Sequence, residues 1–90
     1  MVYATFESFC ACEVSSALIK QELLWEINVA RIDKRPTFDV EYNVYQLIIR
    51  YKERHVELWD TMMHNDHEQE PYIMTLESFL VALKAHVPPR

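Results

Sequence analysis

Apolar and polar positions along the chain predict mostly helix, with one segment that reads two ways. Wound at about 100° per residue, the stretch from Thr37 to His64 gathers Asp39, Asn43, Gln46, Arg50, Glu53, Arg54, Glu57, Asp60, Thr61 and His64 on one arc of roughly 120°. The remaining arc, roughly 220° wide, carries Phe38, Tyr42, Tyr45, Ile49, Val56, Trp59 and Met63 on one side and Val44, Ile48, Tyr51, Leu58 and Met62 on the other. A helix this apolar asks to be covered from two directions. The competing pattern is period two: Phe38 to Val44 alternates without a break, and Leu23, Trp25, Ile27 and Val29 alternate with Leu24, Glu26 and Asn28. Those segments would be strands around the turn Asp33-Lys34-Arg35-Pro36. The alternation stops at Tyr45-Gln46-Leu47-Ile48-Ile49, whereas the helical pattern runs on to Met63, so the helical reading is preferred.

Upstream, Ser15 or Ser16 is placed to cap a helix reaching Ile32, with Ile19, Leu23, Ile27 and Ala30 on one face and Leu18 and Trp25 beside it. Two similar stretches, Thr5-Phe6-Glu7-Ser8-Phe9 and Thr75-Leu76-Glu77-Ser78-Phe79, each offer a threonine N-cap and an early glutamate that meets the positive end of the helix dipole. Beyond those five residues the similarity ends. The pair is read as helix punctuation, and Pro88 stops the last helix after a stripe of Leu76, Phe79 or Leu80, Leu83 and Val87.

These elements predict one all-α domain spanning 1–90, three to four helices packed antiparallel around a long central helix from Phe38 to Met63. The alternative is an α+β fold with a hairpin near 23–44.

Composition narrows the function classes. With 9 basic and 14 acidic residues the net charge is -5, and the acids are spread along the chain, which gives polyanions little to hold. There are no glycines, so a Walker A loop, a dinucleotide-binding GxGxxG turn and a GxSxG elbow lack the residue they need where the backbone takes positive φ or closely approaches a ligand. The same absence leans against tight hairpins. The N-terminal residues lack a basic stretch followed by an apolar one, and no window approaches the roughly 20 apolar residues of a membrane span. Cys10 and Cys12 are too close for an ordinary bridge. The expectation is a cytoplasmic protein with reduced thiols and no membrane contact.

Candidate chemistry is sparse. Cys10-x-Cys12 with His64-x-x-His67 supplies zinc-type ligands, but at the wrong cysteine spacing. His55 is read as a core-margin histidine, His86 as a favourable charge at a helix C-terminus, and Glu53 and Glu57 as surface partners of Arg50 and Arg54. Nothing sets a nucleophile beside a base, so neither catalysis nor a cofactor is expected. Arg31, Lys34 and Arg35 form a small basic cluster that keeps a dimeric nucleic-acid-binding transcriptional regulator as the alternative function.

The surplus of aromatic and methionine side chains points instead to protein contacts. Tyr42, Tyr45, Trp59, Met62 and Met63 are the expected partner-binding residues. The function they suggest is non-enzymatic binding to another protein or to a second copy, as an inhibitor, antitoxin, immunity factor or adaptor of the sort carried by phages and mobile elements.

Overall fold

The computed structural model describes residues 5–61 and 71–88. Helices α1 (Phe6–Glu13) and α2 (Ala17–Ile32) are followed by strands β1 (Thr37–Glu41), β2 (Tyr45–Arg50), β3 (His55–Asp60) and β4 (Tyr72–Thr75), and then by α3 (Leu76–Ala85). The strands form one antiparallel sheet in the order β1-β2-β3-β4.

The three helix starts follow the sequence reading. Thr5, Ser16 and Thr75 sit in extended backbone, and their hydroxyl oxygens accept from the amides of Ser8, Ile19 and Ser78 at 3.0, 3.2 and 3.1 Å. The two similar stretches therefore both begin helices, and their final phenylalanines, Phe9 and Phe79, meet in the core with ring centroids 6.4 Å apart. The N-terminal segment is two helices rather than one bent one, because Glu13 and Ala17 are separated by a break in which Ser16 opens the second cap.

The expected all-α bundle is corrected. The segment assigned to a long central helix from Phe38 is a meander of three strands through Asp60, and the fold is α+β. The alternative was right in class but not in its pairing: Leu23 to Val29 lies within α2, and β1 pairs with β2 in the register Phe38 opposite Ile49 and Val40 opposite Leu47.

The helical period arose from the turn between β2 and β3. Outward positions repeat every two residues within each strand, but the four residues Tyr51 to Arg54 reset the phase between Arg50 and His55. Gln46, Arg50, Glu53, Glu57 and Asp60 are then spaced like the polar face of a helix. Ile48 on the outward face and Asp60 on the inward one complete the disguise.

One face of the sheet carries Phe38, Val40, Tyr45, Leu47, Ile49, Val56 and Leu58 into a core shared with Phe9 and Val14, Leu23 and Ile27 of α2, and Phe79 and Leu83 of α3. All three helices thus pack on the same side. Tyr45 is 1% exposed and its hydroxyl donates to Ser8 Oγ at 2.6 Å. Tyr51 donates to the carbonyl of Ile27 at 2.8 Å, tying the β2–β3 turn to α2.

A glycine-free chain still makes tight turns. Glu41 pairs with Gln46, and Tyr42 N–H donates to the Tyr45 carbonyl at 2.7 Å, leaving Asn43 and Val44 at the tip. Neither tip residue has positive φ, so this is not one of the primed turns that favour glycine and match strand twist. Outside help holds it. The buried Glu13 carboxylate accepts from the amides of Val44 and Tyr45 at 2.9 and 3.1 Å, while Thr61 donates from its amide and hydroxyl to the Val44 carbonyl, each at 2.8 Å.

Among the described residues, left-handed backbone is needed at two places and is supplied by Lys34 (φ 58°) and Arg54 (φ 55°). At the end of α2, Lys34 N–H bonds the carbonyl of Arg31 and Arg35 N–H that of Ala30, both at 3.0 Å. This is the paired helix-closing arrangement in which glycine is the usual residue.

Candidate protein-binding surface

Helix α2 has two apolar faces. Leu23, Ile27 and Ala30 are buried against the sheet. On the opposite side Leu18, Trp25 and Ile32 are 65%, 66% and 68% exposed, with Val29 beside them. At 100° per residue these four lie within roughly 60° of one another, a continuous stripe at helical spacing. The stripe has one acidic flank, formed by Glu22, Glu26 and Asp33; the other flank presents the neutral Gln21 and Asn28 before reaching Arg31.

The acidic flank descends into a groove of about 290 Å³ between α2 and β1, lined by Trp25, Glu26, Val29, Ala30, Asp33, Arg35 and Phe38. It ends at β1, an outer strand of the sheet. Asp39 and Glu41 stand on the helix-free side of that strand, both exposed, and among the described residues neither is in an ion pair. Asp39 accepts one hydrogen bond from Gln46 at 3.0 Å.

The helix-free face centres on Glu57, which is 9% exposed. One carboxylate oxygen lies 3.0 Å from both Arg50 Nε and His55 Nε2; the other accepts from Trp59 Nε1 at 2.9 Å. Burial on its own would raise the pKa of Glu57, but the bonds from Arg50, Trp59 and His55 outweigh it and hold the group below the usual carboxylate range. Glu57 is thus the organising centre of that face rather than half of a solvated surface pair. Its cross-strand neighbours Ile48 and Ile73 flank it.

Among the described residues, those expected at a partner surface do not share one exposed face. Tyr45 belongs to the core. Tyr42 is half-buried edge-on to Phe9, its hydroxyl pushed up to about 12 chiefly by burial, with Glu26 and Glu13 adding to the shift. Trp59 is half-exposed on the helix-free face, with its indole N–H engaged by Glu57. Met62 and Met63 lie outside the described residues.

Of the zinc-type residues, only Cys10 and Cys12 fall among the described residues. Cys10 is buried and Cys12 exposed, while His64 and His67 lie outside the described residues. Burial, followed by the nearby Glu7 charge, pushes the Cys10 thiol up to about 11 despite opposition from Lys20. His86 closes α3, and its ring nitrogen Nε2 donates to the Val14 carbonyl at 3.0 Å. The basic cluster is interrupted by acids: Arg35 shares the groove with Glu26 and Asp33, and Arg31 donates to Asn28 at 2.8 Å.

Compared with protein-family models, with curated proteins and with solved structures, the chain matches none of them. A functional reading therefore rests on the geometry of this chain.

That geometry features residues the sequence reading passed over. Sequence spacing sets Leu18 and Trp25 beside the core face of α2, but their continuation through Val29 and Ile32 marks a second stripe. The signal was legible as apolar residues at positions 18, 25, 29 and 32 in a helix whose core face was already complete. The role of β1 as an outer strand was not legible while its segment was read as helix.

Proposed function

We propose that this chain is a non-enzymatic protein-binding module that contacts its partner through the outer face of α2, acting in the cytoplasm as an inhibitor, antitoxin, immunity factor or adaptor. The observation that carries the reading is the stripe Leu18, Trp25, Val29 and Ile32 on the side of α2 turned away from the core. A helix that offers anchors at this spacing suits insertion into an apolar groove of another protein. Tryptophan is among the residues that most often dominate such contacts.

The partner is a protein whose contact surface is apolar and bordered on one side by lysine or arginine, since Glu22, Glu26 and Asp33 line one side of the stripe and the chain carries a net charge of -5. The buried carboxylates Glu13 and Glu57 are engaged in holding a turn and a sheet face, which supports binding over catalysis. In the described residues no helix is long and apolar enough to cross a membrane. Free thiols at Cys10 and Cys12 fit a reducing compartment.

The test is co-purification of the tagged chain beside a Trp25→Asp/Ile32→Asp variant, after nuclease treatment. Both positions are exposed, so the variant keeps its circular dichroism. The proposal expects a stoichiometric protein partner held by the wild type and lost by the variant. Equal retention by both, self-association alone, or companions removed by nuclease would each overturn it.

A further inference from the structure

The groove beside Trp25 ends at the outer edge of β1, which no described residue pairs, and the two together describe a more particular ligand. Backbone directions along β1 follow from its bonds to β2. Tyr42 N–H donates to Tyr45, and Tyr51 N–H donates to the carbonyl of Pro36 at 3.1 Å. Because partners in an antiparallel ladder alternate, Pro36, Phe38, Val40 and Tyr42 direct their backbone groups into the sheet. Those of Thr37, Asp39 and Glu41 point outward, where no described residue pairs with them.

We infer that the outer edge of β1 binds an extended segment of the partner protein in which basic and apolar residues alternate, adding a fifth strand to the sheet. This rests on the protein-binding reading and deepens it. A strand laid along β1 continues its alternation. Every second side chain would stand beside Asp39 and Glu41 on the helix-free face and be favoured there as lysine or arginine. The side chains between them would point toward the groove walled by Trp25, Val29 and Phe38 and be favoured as apolar. Main-chain bonds supply affinity and the alternating side chains supply selectivity.

The same charges disfavour a second copy. Two β1 strands paired about a two-fold axis centred on Asp39 place that residue opposite its own symmetry mate, and centring on Val40 sets Asp39 opposite Glu41. Acids placed directly opposite each other repel, and charged edge residues of this kind block self-pairing. A basic alternating strand meets the opposite situation.

The experiment uses the full chain and three blocked nonapeptides: alternating lysine and valine, alternating glutamate and valine, and the lysine–valine peptide N-methylated at alternate backbone positions so that it keeps charge and shape but loses one edge of donors. Amide hydrogen exchange is followed residue by residue. The lysine–valine peptide is expected to slow exchange at Thr37, Asp39 and Glu41 by about tenfold or more at saturation, with little change at Phe38 and Val40, which already bond within the sheet. The other two peptides leave all five unchanged. Asp39→Lys/Glu41→Lys reverses the preference toward the glutamate–valine peptide.

Absence of protection at Thr37, Asp39 and Glu41 with millimolar lysine–valine peptide, or equal protection by the methylated one, overturns the inference. Loss of the natural partner on Trp25→Asp/Ile32→Asp without edge protection by the peptide refutes strand addition while leaving the protein-binding reading standing. Failure of both refutes both.

Discussion

Glu13 holds the β1–β2 turn from another element of the fold, and Glu13→Ala measures how far the turn depends on it. In the native chain its carboxylate accepts from two backbone amides, Val44 at 2.9 Å and Tyr45 at 3.1 Å, the second of them buried. Hydrogen bonds to a charged group contribute about 1.5–3 kcal/mol each, and a buried donor left without a partner costs about 1–3 kcal/mol. The two bonds share one oxygen atom and are not additive, so the combined loss is placed at about 2–4 kcal/mol. That is a large part of the roughly 5–13 kcal/mol available to a chain of 90 residues. It corresponds to a fall in Tm on the order of 10–25 °C. Urea unfolding followed by tryptophan fluorescence reads the difference directly. Glu13→Gln keeps an acceptor oxygen without the charge and is expected to recover part of the loss. A cost for Glu13→Ala below about 0.5 kcal/mol, or a glutamine variant no better than the alanine one, would refute the account of how a turn without glycine is held.

Other predictions follow from single sites. Lys34→Gly removes a side chain from a left-handed position and is expected to raise stability by about 0.5–1 kcal/mol in the same urea assay, whereas Lys34→Val lowers it. Glu57 has a folded pKa held below its ordinary 4.5, so the unfolded chain binds the proton first: the stability this group contributes is full above that pH and declines as pH falls through the folded value. Glu57→Gln therefore flattens the acid limb of stability plotted against pH, and an unchanged limb would contradict the hydrogen-bonded centre. A maleimide at pH 8 modifies exposed Cys12 and spares buried Cys10, whose thiol is raised to about 11; urea makes both react, and two modified cysteines in the folded protein would show the first helix packed differently.

The helices were legible because their signals are local. Thr5, Ser16 and Thr75 announce their caps within three residues, and tertiary packing agrees with them. The sheet was not, since Arg50 and Glu57 are seven residues apart in sequence and two turns of a helix would bring them together as readily as two adjacent strands do. Leu47-Ile48-Ile49 hides its alternation because Ile48 faces outward beside Glu57. The absence of glycine argued against hairpins by the turn chemistry alone; the compensation comes from Glu13, thirty-one residues from Val44 in sequence, and no local pattern reveals it. At the candidate surface, the second stripe of α2 was available from residue spacing, while the outer edge of β1 required the strand order.

The central claim is that the outer face of α2 meets another protein. The most direct measurement places a photoreactive phenylalanine analogue at position 25 in the cells that make the protein, with the same analogue at exposed Val81 of α3 as the comparison. The account predicts one adduct with a different protein from position 25, absent from position 81 and prevented by Ile32→Asp. An adduct only with a second copy, equal yield from both positions, or crosslinking to nucleic acid alone would contradict it.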